Sequence, residues 1–308
     1  MNAKLSTLTI KVVNILRYEG IKEFVIRARA ELHIRLKRLL YRLLPPAACK
    51  LCNGKTVRRQ GYGRAFYQCL DCEFIFAIDY DIKILSRGMG MEGSWTGPGE
   101  GGYREYYLVN MLIQDLGLSS FLLYGTGNTR TFADLREEGL DVVGCDISPD
   151  VVEYKKATFG DDTFFTPDSL PANKTYDAIV AVEVFEHLAD PKSVFSLFID
   201  KLSPGGVICG TSNFYPGGPI EDDNKPGCMS IPGHVAYWSL KSMRHIAQYY
   251  HFAVSAFEMI RPGSVLPDEK YGQLWPNKRV FFVYDPSIHQ TYFEHLMETT
   301  PILPIDKP

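Results

Sequence analysis

Phe121-Leu-Leu-Tyr-Gly-Thr-Gly-Asn128, then Asp141-Val-Val-Gly-Cys-Asp-Ile-Ser-Pro-Asp150, are the two stretches from which the architecture can be read. Each is a short apolar run that stops on residues suited to a tight turn, and between them Arg130 to Glu138 has a helical pattern stopped by Gly139. Downstream the alternation repeats. Asp150 to Thr158 reads as a helix, Thr163 to Thr166 as a short strand, Ala178 to Val182 as a buried strand and Ser193 to Leu202 as a helix. Val207 to Thr211 reads as a strand and Ser239 to Tyr250 as a helix, while Tyr103 to Asp115 supplies a helix upstream of the first strand. Regular β-α alternation predicts a parallel sheet covered by helices on both faces, a doubly wound α/β core. Phe252 to Ile260 and Arg279 to Tyr284 lack a helix between them and predict an antiparallel pair at the sheet's edge. A last helix runs to Met297, followed by Pro-rich coil.

In such a sheet a ligand sits at the carboxyl ends of the strands, closest to the loop after the first one. That loop is Tyr124-Gly125-Thr126-Gly127, whose glycines let the backbone approach a ligand. Asp146 ends the next strand, 19 residues after Gly127, where a carboxylate can accept both hydroxyls of a ribose. Nicotinamide enzymes share this layout, so the segment after the fourth strand has to decide.

That segment is Tyr176-Asp-Ala-Ile-Val-Ala-Val-Glu-Val-Phe-Glu-His-Leu-Ala-Asp-Pro191. Together with Asp141 to Asp150 it resembles the class I S-adenosylmethionine-dependent methyltransferases, over about residues 103–285. The resemblance implies a Rossmann-like fold in which Tyr124, Gly125, Thr126 and Gly127 line the methionine end of S-adenosylmethionine. It places Asp146 and Ile147 at the ribose, and Asp168 with Ser169 at the adenine edge. Two positions depart from the family pattern: the usual motif aspartate is Leu123, and the last motif glycine is Thr129. Arg104, on the helix before the first strand, is a candidate partner for the cofactor's carboxylate.

Methyl transfer from a sulfonium needs alignment and, for a hydroxyl acceptor, removal of a proton. Glu183, Glu186 and His187 stand where the acceptor should lie, and their E-x-x-E-H spacing resembles that of the ubiquinone-pathway O-methyltransferases. In those enzymes these positions hold a divalent metal, which makes Mg²⁺ a candidate here; the alternative is a helix-opening segment making local hydrogen bonds. His234 is a second candidate base.

Cys49-Lys-Leu-Cys52, sixteen intervening residues and Cys69-Leu-Asp-Cys72 match a closed four-thiolate zinc site. Lys50, Lys55, Arg58, Arg59 and Arg64 make this ribbon basic, which suits either a phosphate-bearing acceptor or plain solvation. Similar ribbons precede methyltransferase domains that act on ribosomal RNA and on sugars. The ribbon lacks a run of aromatics for stacking bases, which favours a small-molecule or lipid-linked acceptor over nucleic acid.

The whole chain has 308 residues, 45% hydrophobic and 22% charged, with a net charge of −3. Residues 1–44 hold ten Lys/Arg against three Glu, so the remainder carries −10. Two helices are expected there, 6–19 and 21–44, the second with Ile21, Val25, Ala28, Leu32, Leu36, Leu39 and Leu43 on one stripe and arginines off it. The stripe packs on the protein or on a second subunit of a homodimer, or else lies on an anionic membrane surface. No apolar run reaches membrane-spanning length, and seven cysteines with four in CxxC pairs fit a reducing, cytoplasmic setting, peripheral to the membrane's inner face if the acceptor is lipid-linked. The expected layout is a basic helical segment over 1–46, a zinc ribbon over 47–80, a Gly-rich lid or linker over 81–102, a cofactor-binding domain over 103–286 and a tail over 287–308. The functional expectation is an S-adenosylmethionine-dependent methyltransferase acting on a sugar, lipid-linked glycan or polyprenyl phenol. The alternatives are an RNA methyltransferase and a catalytically silent scaffold.

Overall fold

The structure is a computed structural model, and it describes residues 36, 45–62, 64–78, 100–127, 131–220, 227–231, 233–260, 274–299 and 302–303. The chain divides into two compact units, Met1–Pro46 and Ala47–Pro308. The expected helices 6–19 and 21–44 and nearly all of the Gly-rich segment lie outside the described residues, although Leu36 is helical. Among the described residues no helix is long and apolar enough to cross a membrane.

Period-two alternation builds the main sheet. In β4 (Ser120–Tyr124) Leu122 and Tyr124 enter one core, while Phe121 and Leu123 enter the other. The neighbouring strands β5 (Asp141–Cys145), β7 (Tyr176–Val182) and β8 (Leu202–Asn213) repeat the pattern: Val143, Ile179 and Ile208 face the first core, Val142, Val180 and Val207 the second. Successive side chains point to opposite faces, so strands with continuous apolar runs demand cover on both. On the second face lie α1 (Glu100–Leu116), α2 (Thr131–Glu137), α3 (Pro149–Phe159) and α6 (Pro286–Thr299), through Leu108, Leu112, Phe132, Val152 and Phe293. On the first lie α4 (Pro191–Lys201) and α5 (Leu240–Tyr249), through Phe195, Phe198, Met243 and Ile246. Cys145 and Cys209 are core residues on opposite faces.

With β6 (Phe164–Phe165), β10 (Ala253–Ile260), β11 (Leu274–Tyr284) and β12 (Ile302–Leu303), the strand order is β12-β10-β11-β8-β7-β4-β5-β6. β6, β5, β4, β7 and β8 are parallel, and β11 runs antiparallel to both β8 and β10, the edge pair read from the sequence. The tail is not simply coil, because β12 adds a parallel strand outside β10. From β4 the chain winds outward to β5 and β6, then returns to β7 and β8 on the other side. The switch point therefore falls between the carboxyl ends of β4 and β7.

The ribbon is a second sheet, β1 (Thr56–Gly61), β2 (Arg64–Cys69) and β3 (Ile75–Ala77), all antiparallel. Its fourth strand, β9 (Ala236–Tyr237), comes from the segment between β8 and α5, with Ile75 opposite Tyr237 and Phe76 opposite Ala236. Cys49, Leu51, Phe74 and Phe76 share one hydrophobic core with Phe185, Trp238 and Phe281. The ribbon is thus packed into the same body as the main sheet.

Candidate active site

The loop after β4 has a cradle's geometry. Gly125 has φ +76°, and a Cβ there would stand 2.4 Å from Val184 Cγ2, so glycine is required on both counts. Its N–H donates to Cys145 O at 2.7 Å, while Gly127 N donates to Asp146 Oδ2 at 3.0 Å. Asp146 is 5% exposed and also accepts from Ser148 N at 2.9 Å. Burial raises its carboxyl's pKa, with the Ser148 and Gly127 N–H groups opposing the shift. Two buried hydroxyls beside it, Thr126 Oγ1 and Ser148 Oγ, have no hydrogen-bond partner, and Ile147 is 55% exposed. Buried hydroxyls without partners, an acid and an apolar surface at a switch point fit a ligand that brings both ribose hydroxyls and a flat ring.

Three other expected cofactor residues are placed differently from one another. The Tyr124 ring turns into the core against Phe198, 4.8 Å between centroids, which leaves its backbone to the loop. Asp168 is exposed in the one-turn segment Pro167–Ser169, and the Ser169 hydroxyl closes that turn with Thr166. Leu123, at the motif aspartate's position, is fully buried in the apolar core that also holds Leu108 and Leu112 of α1. Thr129 lies outside the described residues.

Past β7 the chain turns sharply at Glu183, which has φ +55°. Its carboxylate faces Lys278, accepts from Arg104 Nη1 at 3.0 Å and accepts from Thr211 Oγ1 at 2.6 Å. Burial opposes ionisation there, but Lys278 and then Arg104 hold the carboxyl below its ordinary range. Arg104 therefore pairs with an internal carboxylate.

Glu183 does not converge with Glu186 and His187. The group that does is Glu186, His187 and His234, with one donor atom of each within 4.8 Å of the others. Glu186, 2% exposed, accepts from Ser212 Oγ at 2.8 Å through Oε2, and its Oε1 has no hydrogen-bond partner. Burial, reinforced by the Glu183 charge, pushes its carboxyl up to about 8. His187 Nδ1 lies 2.9 Å from Gly233 O, and a carbonyl only accepts, so Nδ1 carries the proton and Nε2 the lone pair. Burial lowers the pKa of His187 and takes His234 down to about 3, so both imidazoles are neutral at pH 7. Two imidazoles and one carboxylate do not suit Mg²⁺, which takes oxygen ligands, and Glu183 lies outside that group.

The four ribbon thiols come together as their spacing requires. Cys49 and Cys72 Sγ are 3.5 Å apart, Cys52 and Cys69 Sγ 3.4 Å, and all four fall in one group. Backbone N–H groups of Leu51, Gly54 and Asp71 point at Cys49, Cys52 and Cys69 sulfurs, at 3.4, 3.3 and 3.4 Å. A Cβ at Gly54 would fall 2.0 Å from Asp71 Oδ2 and 3.0 Å from Cys52 Sγ, so a larger residue there would displace the Asp71 side chain between the knuckles. The hydrogen bond from Cys72 lowers the Cys49 thiol to about 5, and the same bond with burial raises Cys72. A closed four-sulfur set with N–H support fits structural zinc.

Sequence reading missed Lys278, Thr211, Ser212 and Gly233. Lys278 stands opposite Asn213 across β11 and β8, and the one local hint is a lysine opening the apolar run Val280 to Tyr284.

Two outcomes follow from this geometry. Elemental analysis of the purified chain is expected to give one zinc per molecule, and Cys52→Ser to lose it together with thermal stability; well under half an equivalent in the native protein would refute the site. The second concerns pH. Glu186 binds its proton more tightly when folded, so its contribution is fully present below the unfolded value near 4.5 and is lost as pH rises through about 8. The two buried histidines, with lowered pKa values, act in the opposite sense below about pH 7, so the readout is the fall in melting temperature from pH 7 to pH 8.5 in the wild type, which Glu186→Gln should flatten; equal slopes would show that Glu186 titrates normally.

Residues 108–256 match the model of a methyltransferase domain family. No curated protein sequence matches the chain. Among solved structures, similarity extends to a putative methyltransferase from Haloferax volcanii in complex with a methyltransferase activator, at 17% identity over 59% of this chain and 91% of that one, with a TM-score of 0.43. A possible histamine N-methyltransferase from Thermotoga maritima shows 15% identity over 60% of this chain and 89% of that one, TM-score 0.43. A glycopeptide N-methyltransferase complexed with S-adenosylhomocysteine shows 12% identity over 63% and 92%, TM-score 0.43. Scores at this level decide nothing about acceptor or partner. Residues 108–256, which include the glycine loop and Asp146, are thus similar to a methyltransferase domain over just under half of the chain.

Proposed function

We propose that the enzyme methylates a hydroxyl of a sugar, a lipid-linked glycan or a polyprenyl phenol, and that Glu186, His187 and His234 form the wall against which the acceptor reacts. The observation that carries this reading is a fixed imidazole in the segment after β7: Gly233 O sets the His187 tautomer, which leaves the lone pair on Nε2 to act as a base. In the reaction His187 Nε2 takes the hydroxyl proton, the acceptor oxygen forms its bond to the methyl carbon, and the carbon–sulfur bond breaks to leave neutral S-adenosylhomocysteine. Glu186, protonated at pH 7, can donate a hydrogen bond from Oε1, since Oε2 accepts from Ser212.

An RNA acceptor is less well supported. Several ribbon cations make contacts within the protein: Lys50 Nζ donates to Ala189 O at 2.6 Å, Arg59 Nε to Gln68 Oε1 at 2.8 Å, and Arg64 Nη1 to Ile231 O at 2.6 Å. Such groups are less available for phosphates. Attachment to an anionic membrane through residues 1–44 remains a proposal that rests on their charge and apolar stripe alone.

Asp146→Ala is expected to weaken S-adenosylmethionine binding by about 1.5–3 kcal/mol in calorimetry, the range for losing a charged hydrogen-bond partner. Unchanged affinity would remove Asp146 from the ribose. His187→Ala should lower S-adenosylhomocysteine release roughly 10²–10⁴-fold, assayed with a nucleotide sugar, a polyprenyl-phosphate sugar and a polyprenyl catechol as probes, with cofactor affinity retained. Full turnover in that variant would overturn the assignment.

A further inference from the structure

The ribbon holds the acceptor-side wall more directly than a separate module would. Arg64 lies on β2, and its Nη1 reaches Met229 O at 3.2 Å, Ile231 O at 2.6 Å, His234 O at 2.9 Å and Tyr237 Oη at 3.1 Å. Tyr237 Oη in turn donates to His234 O at 2.7 Å. The segment that carries His234 is therefore wrapped around one guanidinium from the ribbon. A backbone link continues inward: Ala77 N of the ribbon donates to Val235 O at 2.8 Å, and Val235 N donates to Glu186 O at 2.8 Å. At the far end of the same turn Lys50, between the first two cysteines, donates to Ala189 O. Trp238, its ring tilted against the ribbon's Phe74 with centroids 4.8 Å apart, donates from Nε1 to Phe185 O at 2.9 Å. The carbonyls of Phe185, Glu186 and Ala189 are thus all fixed by the ribbon or by residues it packs against. The cofactor loop is braced within its own sheet, by the Gly125–Cys145 and Gly127–Asp146 bonds.

We infer that Arg64 is a positioning residue of the methyltransferase: through it and β9 the zinc ribbon sets the geometry of Glu186, His187 and His234, while the cofactor loop stands independently. The inference rests on the reading that these three side chains face the acceptor. It gives the ribbon a task in catalysis other than nucleic-acid binding. It also makes competence for methyl transfer, though not cofactor binding, depend on the ribbon being intact. The four acceptors share the two hydrogens of Nη1, and lysine, which keeps the charge, lacks the fixed guanidinium plane that places that nitrogen among them.

The test needs no acceptor, so it can fail without touching the proposed reaction. Full-length Arg64→Gln, Arg64→Lys and Tyr237→Phe proteins are compared with the wild type for zinc content, S-adenosylmethionine affinity by calorimetry, amide exchange over residues 233–237, and the ring resonances of His187 and His234. Arg64→Gln is expected to keep its zinc and to hold cofactor affinity within about twofold, since no cofactor contact changes. The amides of 233–237 should exchange at least roughly tenfold faster, as a local opening of ~1.4 kcal/mol would give. Both histidine resonances should move, with Arg64→Lys between Gln and wild type. Tyr237→Phe removes a single hydroxyl and should move His234 in the same direction; it decides the matter if Arg64→Gln fails to fold. Unchanged exchange and unchanged histidine signals overturn the inference. So does a loss of cofactor affinity in step with them, which would make Arg64 a support of the whole fold.

Discussion

The cluster of Glu183, Lys278, Arg104 and Thr211 is the constraint around which the site is arranged. Lys278 comes from β11, Arg104 from α1, Thr211 from β8, and Glu183 from the end of β7, so one carboxylate ties four elements together. Lys278 and Arg104 are 2% and 3% exposed, and a buried cation left without its partner costs roughly 3–5 kcal/mol. The same contacts keep Glu183 in a left-handed backbone conformation, which a β-carbon resists by about 1–2 kcal/mol. That turn aims the following segment, Phe185–His187, back across the end of the sheet. The charge on Glu183 also acts on its neighbour. A second anion beside it is unfavourable, so Glu186, already disfavoured as an anion by burial, holds its proton. One ionised glutamate and one neutral glutamate, three residues apart, thus have separate tasks set by their surroundings.

The core explains why ribbon and sheet form one structure. A ribbon of this size has little apolar area of its own, and its buried Phe74 and Phe76 would be left without cover. Here they lie in the cluster that also contains Phe185, Trp238 and Phe281, so cysteine knuckles, acceptor segment and main sheet exclude water together. Zinc held by the four thiols would stabilise the same residues as this shared packing. A strand of only two residues, β9, suffices to close the ribbon sheet because it is anchored on both sides, by β3 and by Glu186 O.

Much of this was legible in local sequence, and the reason is periodicity. Phe121 to Tyr124 and Val142 to Cys145 declared a buried parallel pair, and the glycines with Asp146 marked the loop between them. CxxC spacing placed the four sulfurs. What the sequence concealed depends on long-range partners. Nothing adjacent to Arg64 announces that it gathers three carbonyls and a hydroxyl some 165–173 positions away, and Lys278 gives no sign of the glutamate 95 positions before it. Gly101 and Gly102 read as loop because glycine is a poor helix former, yet α1 begins at Glu100. Pro276 likewise hid the start of β11 at Leu274, since proline is rare inside strands. Leu123 reads as a defect against the family pattern, but in the fold it is an ordinary core residue packed with α1.

Charge conservation at the site supports the proposed direction of proton flow. Before transfer the cofactor contributes a sulfonium cation, both imidazoles are neutral, and Glu183 is ionised between two cations. If His187 took the acceptor's proton as proposed, loss of the sulfonium charge would be matched by a new imidazolium in the buried site, so the total charge there would be kept and little solvent reorganisation needed. Burial opposes the imidazolium, which favours passing the proton on before the next turnover. The ionised Glu183, whose charge favours protonated His187, offsets part of that penalty while the product is still bound. An anion clamped in place by Lys278 and Arg104 can do this without taking the proton itself, because the same two cations keep its own carboxyl a weak base.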